Sequence, residues 1–239
     1  MRDYLTPAIR GLVTEELGRA KAESKLYSAP RIYDSLLSSQ PLCFNLFGEL
    51  ALRLDLATEL FRRRIPGLER VTRALRALAR PRRRTLLHDN TAFDVLVEYT
   101  LRAGGRGFLG IEVKYSEDVR DKPAAMRPRY LEVAQQMGCF DVDAGGRDGV
   151  APAAAVARPL AGGRAAAGSG EFHEGLAVVV YPRGNECAAA CATYRGGAAR
   201  GCALGRMGLE DLVADVQACS TEAWVTAVGE RYLAEGVRE

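Results

Sequence analysis

The chain has 239 residues and a mass of 25.9 kDa, enough for one well-packed domain. With 48% hydrophobic and 26% charged residues it has a globular composition, which excludes collagen, coiled coil and wholesale disorder. A formal net charge of +3 and a pI near 8.6 are too mild to name a partner.

The longest apolar run, residues 176–181, falls far short of a membrane span. The polar start Met1-Arg2-Asp3-Tyr4 does not read as a signal peptide. Six cysteines without paired spacing point to reduced thiols, so the cytoplasm is the expected location.

In chain order, Thr6-Pro7 opens a helix, with threonine as cap and proline in the first turn. Ile9, Leu12, Val13 and Leu17 follow at helical spacing. A second helix is expected over residues 42–64, with Phe44, Phe47, Leu50, Leu54 and Ala57 as its buried stripe. Residues 92–99 and 107–115 are rich in β-branched and aromatic side chains and flank a glycine loop, which predicts a β-hairpin. A helix is expected at 129–137. Residues 143–170 are Ala/Gly-rich and read as irregular. A buried strand at 176–181 and helices at 209–218 and 222–233 close the chain, the last capped by Ser220 or Thr221. The fold class is therefore α/β, a mixed sheet flanked by helices.

The hairpin carries the chemistry. In Glu112-Val113-Lys114 strand alternation puts the acid and the amine on one face, with Ile111, Val113 and Tyr115 on the other. A loop centred on Ala103 brings Asp94 opposite Glu112. Such opposed residues have Cβ atoms roughly 4.5–5.5 Å apart. Two carboxylates that close repel unless a cation lies between them, and oxygen-only ligation suits Mg²⁺ or Mn²⁺. Asp94, Glu112 and the Val113 carbonyl are the candidate metal ligands. Lys114 is the candidate for orienting a nucleophilic water or stabilising the transition state. Glu49, on an apolar helix, is a further candidate carboxylate, and Glu98 shares the Asp94 face. The bland alternative for the trio is a surface charge ladder on an ordinary hairpin.

Asp94 followed by Glu112-x-Lys114 on the next strand resembles the PD-(D/E)XK nuclease superfamily, the fold of many restriction endonucleases. The phrases Ser39-Gln40-Pro41-Leu42-Cys43-Phe44-Asn45, Thr91-Ala92-Phe93-Asp94, Arg127-Pro128-Arg129-Tyr130 and Tyr181-Pro182-Arg183-Gly184-Asn185 resemble a bacterial, restriction-endonuclease-like branch of it. The resemblance implies a restriction-endonuclease-like domain at 39–239, preceded by an N-terminal helical extension at 1–38. It implies Mg²⁺- or Mn²⁺-dependent hydrolysis of DNA, with Asp94, Glu112 and Lys114 as catalytic residues. A homodimer and a modification or defence partner stay open. One departure is the residue before the acid, Phe93, where the superfamily pattern has proline.

Two stretches break with that branch. Where it leads one to expect a helix rich in Gln, Trp, Arg, Asp and His before the 176–181 strand, residues 154–160 are Ala-rich. Back-translated with GC-rich codons and read one base later, they give Gln-Gln-Trp-Arg-Asp-His-Trp. Residues 76–81 read the same way give Glu-His-Ser-Pro-Gly. Two local frameshifts are therefore expected, within 75–84 and 153–170, to be checked by resequencing. They bear on the ten arginines between 62 and 84, which oppose only Glu69 and read as a phosphate-binding stripe. Out of frame, its distal part is accidental and only Arg62, Arg63 and Arg64 remain candidate DNA contacts. A lost helix would also favour the alternative function, a catalytically impaired nuclease fold that binds DNA or protein. Cys187-x3-Cys191 lacks zinc-knuckle spacing, and neither His88 nor His173 stands near a candidate nucleophile in sequence.

Overall fold

The computed structural model describes residues 4–22, 31–34, 37–74, 93–116, 172–185 and 204–233. The expected helix at 129–137, the Ala/Gly stretch, the distal arginines, His88, Cys187 and Cys191 lie outside the described residues.

Helix α1 (Pro7–Ala22) starts where Thr6-Pro7 predicts. The Thr6 hydroxyl accepts from Ile9 N at 3.1 Å, a cap worth about 1 kcal/mol. Ile9 and Val13 are fully buried, in one cluster with the sheet. Helix α1 lies close against helix α3 (Ser39–Leu52): a Cβ on Gly48 would stand 3.0 Å from Ile9. The short α2 (Arg31–Asp34) lies between them in sequence, and its Ile32 carbonyl accepts from Tyr4 Oη at 2.6 Å.

The single helix expected over 42–64 is two helices, α3 and α4 (Leu54–Arg62), broken at Arg53 with φ −130° and ψ 84°. Every residue of α3 from Pro41 to Leu50 is buried, whereas α4 buries only Ala57, Thr58, Leu60 and Phe61. A straight helix cannot turn a wholly buried segment and a one-sided one inward along the same axis, and the bend resolves this.

The sheet runs in sequence order: β1 (Leu68–Arg73), β2 (Val95–Leu101), β3 (Arg106–Val113), β4 (Glu174–Tyr181), β5 (Leu204–Gly208). Strands β1, β2 and β3 pair antiparallel in turn, and β3, β4 and β5 are mutually parallel. Helices α5 (Leu209–Cys219) and α6 (Ala223–Leu233) follow β5. The result is a mixed α/β sheet flanked by helices, as the sequence predicts. Gly104 (φ 87°) and Gly105 (φ 95°) make the hairpin turn between β2 and β3 in backbone conformations that favour glycine.

Strand β1 is an addition to the sequence reading. It buries Leu68 and Val71 and exposes the pairs between, because its ladder with β2 slips once after Leu68 and again after Val71. Each slip inserts a residue, which turns the period of two into a helix-like three. Strand β5 carries two glycines among five residues, a weak strand pattern.

The sheet has two distinct faces. Val95, Val97, Tyr99, Leu109, Ile111 and Val113 pack with Phe44, Phe47, Leu212 and Val228 in the main core. On the other face Phe108, Ala177, Val179 and Tyr181 are buried outside that cluster. Asp94 and Glu112 belong to this second face by alternation.

Candidate active site

Val95 pairs with Ile111 and Leu96 with Gly110, and the register holds through Thr100 and Arg106. One step further, the same register sets Asp94 across from Glu112. Asp94 Oδ2 accepts from Val113 N at 2.8 Å, so its carboxylate caps the strand that carries Glu112. Lys114 Nζ donates to Glu112 Oε1 at 2.5 Å. The two side chains are 20% and 14% exposed, sheltered but reachable by solvent. Ile111, Val113 and Tyr115 are buried on the opposite layer. Asp94, Glu112 and Lys114 thus come together at one edge. The Val113 carbonyl belongs to the peptide leading into Lys114, whose own N–H donates to Val180 O at 2.9 Å.

This edge is held from several sides. Phe93, the residue before the acid, lays its ring on Gly110: a Cβ there would stand 2.3 Å from ring atoms Cε2 and Cζ. Only glycine admits that contact, which packs the chain entering Asp94 against the strand bearing Glu112. From α3, Cys43 Sγ stands 3.8 Å from the Asp94 carbonyl. Burial, followed by the Asp94 and Glu112 carboxylates, pushes the Cys43 thiol well above its ordinary pKa, so it stays protonated and neutral. Past Lys114, Asn185 Nδ2 donates to Tyr115 O, and Tyr115 Oη donates to Tyr232 O at 3.2 Å. Buried Asn45 donates to Tyr232 Oη at 2.7 Å and accepts from Leu5 N at 2.9 Å. Burial raises the Tyr232 phenol to about 12, against the lowering contributed by Asn45 and Arg231. These contacts link the N-terminal segment, α3 and α6 to the end of β3.

Other candidates fall elsewhere. Glu49 is six residues from Cys43, about 9 Å along the axis of α3 and roughly 120° around it. Its carboxylate accepts from Thr6 Oγ1 at 2.5 Å and lies 3.7 Å from Arg53 Nε. The structure does not bring it to the Asp94–Glu112 pair. Glu98 shares their face but meets Arg106 at 2.8 Å and Arg73 at 3.2 Å. Arg62 ends α4 and Arg63 and Arg64 follow it beside the hairpin turn, where Arg102 N donates to Gly67 O. From there to Asp94 the length of β2 intervenes, about 23 Å at 3.3 Å per residue. Arg62 donates to the Glu69 carbonyl and Arg64 pairs with Asp215 at 2.5 Å. They do not border the acids. His173 is exposed, with Nδ1 accepting from Arg106 N at 3.3 Å.

The donor set suits a hard cation. Among the described residues no three or more His, Cys, Asp or Glu side chains converge to hold a metal by protein ligands alone. Two carboxylates are what Mg²⁺ takes when waters and substrate phosphate oxygens complete its shell. The second Glu112 oxygen has no partner among the described residues.

A family model described as the PD-(D/E)XK nuclease superfamily matches residues 1–234, nearly the whole chain. No curated protein and no solved structure matches it. Among the described residues no helix is long and apolar enough to cross a membrane.

Proposed function

The chain belongs to the PD-(D/E)XK nuclease superfamily, and from that premise we propose that it is a divalent-metal-dependent endonuclease that hydrolyses phosphodiester bonds in DNA. The observation that supports this reading is the shared edge: Asp94 bonded to the backbone of the Glu112 strand, with Lys114 on the Glu112 carboxylate. Asp94, Glu112 and the Val113 carbonyl would hold Mg²⁺ or Mn²⁺. When bound, the ion supplies a water of lowered pKa and offsets charge on the phosphate.

The remaining chemistry falls to the chain itself. Lys114 holds its Nζ beside Glu112, placed to orient the attacking water and to donate toward the pentavalent phosphorus oxygens. The water gives up a proton to solvent as its oxygen forms the new P–O bond, the ester P–O bond breaks, and the departing oxygen takes a proton from solvent, so that one water is added overall. Val113 N–H fixes one Asp94 oxygen, so the carboxylate is already oriented before substrate arrives.

The experiment compares wild-type protein with Asp94→Asn and Lys114→Ala. Wild type is expected to bind Mn²⁺ by calorimetry and nick plasmid DNA, with EDTA abolishing nicking. Asp94→Asn is expected to lose metal binding. Lys114→Ala is expected to keep metal binding and lose nicking by about 10²-fold or more, the scale of one acid–base or charge-stabilising group. A wild-type protein that binds no metal and cuts no DNA overturns the proposal and leaves a nuclease-fold binding module.

A further inference from the structure

Parallel pairing carries the Glu112 row beyond the hairpin. Glu112 stands beside Val179 on β4, and Val179 stands beside Arg206 on β5. Cross-strand partners point to the same face. The neighbouring row faces the other way: Val180 and its partner Met207 belong to the main core, and a Cβ on Gly205 would meet Val178 of that same core face. Arg206 therefore shares the face of Asp94 and Glu112. It lies two strand spacings from Glu112, about 10 Å. The intervening residue is an apolar valine that is 1% exposed.

Arg206 differs from the other cations near this edge. Lys114 is bonded to Glu112 and Arg183 pairs with Asp211. Arg206 is exposed, and among the described residues it has no hydrogen-bond or ion-pair partner. A cation in line with an acidic pair, on the same face and with no acid of its own among the described residues, is placed to meet a negative group that extends from the acids. A nucleic-acid strand provides one, with a phosphate about every 3.4 Å of axis along each strand, so 10 Å spans roughly three steps.

We propose that Arg206 binds a backbone phosphate of the DNA strand whose cleavable bond lies at Asp94 and Glu112, setting the direction in which the strand leaves the acids. The inference rests on the nuclease reading for its choice of ligand. Phosphate contacts of this kind position the strand without reading sequence.

The test uses the full chain and a fluorescent DNA duplex, followed by anisotropy over a range of salt, beside nicking kinetics. Arg206→Ala is expected to weaken DNA binding about fivefold, uniformly across sequences, and to flatten the log–log salt dependence by about one unit. KM should rise while kcat and Mn²⁺ affinity stay unchanged, and Arg206→Lys should restore the salt slope. Arg102→Ala, an exposed arginine at the far hairpin turn, should change neither quantity. Arg206→Ala that binds DNA with wild-type affinity and slope overturns the proposal, as does a wild-type protein that does not bind DNA. Wild-type protein that binds DNA through Arg206 but neither binds metal nor cuts would sustain the phosphate contact and overturn the nuclease reading.

Discussion

Gly110→Ala adds one methyl group, and its position can be worked out. The new Cβ would lie 2.3 Å from two Phe93 ring carbons and 2.5 Å from a third. Carbon atoms pack at about 3.5–4.0 Å, so ring and strand must part by roughly 1.2–1.7 Å. Overpacking of this kind costs about 1–3 kcal/mol. For a chain of this length, that corresponds to a Tm lower by roughly 2–12 °C. Phe93 immediately precedes Asp94, so the shift passes directly to the carboxylate that Val113 N–H now holds at 2.8 Å. A misplacement of about 1 Å can cost on the order of 10² in rate. Calorimetry with Mn²⁺ and plasmid nicking should therefore show weakened metal binding and slow cleavage in protein that still unfolds cooperatively. Phe93→Ala in the Gly110→Ala background should recover part of the Tm, since the clash needs both groups. Metal affinity and nicking within twofold of wild type in Gly110→Ala would refute the claim that this contact positions Asp94.

Two further outcomes follow from the same geometry. Glu49→Gln keeps an acceptor for Thr6 and should leave Mn²⁺ affinity and nicking rate at the wild-type level; a clear loss of metal binding would return Glu49 to the site. Cys43 is buried and its pKa is raised, so at pH 8 it lacks both access and thiolate character. Peptide mapping after iodoacetamide treatment should find Cys43 unlabelled in folded protein and labelled after denaturation, and rapid labelling of folded protein would contradict its placement against Asp94.

Much of the candidate site was legible in the sequence because a hairpin is local. Two apolar segments joined by a glycine turn leave little choice of register, so Asp94 across from Glu112, and Lys114 beside Glu112, follow from counting. The helix start at Thr6-Pro7 is equally local. The arginines at 62–64 illustrate the reverse: their charge is evident in the sequence, but their distance from the acids depends on how α4 and β1 dock.

The amino-acid sequence by itself determined the mixed α/β character, the hairpin and the acid–acid–amine grouping, because each depends on alternation and turns within a few residues. Tertiary structure alone decided that α3 and α4 are separate helices, since the bend answers to what each must bury. It alone revealed β1, whose bulges disguise a strand as a helical repeat, and assigned Glu49 to Thr6 rather than to the metal candidates. The alignment of Arg206 with Glu112 has the same origin: it crosses two parallel strands far apart in sequence, and only the pairing of the sheet brings them level.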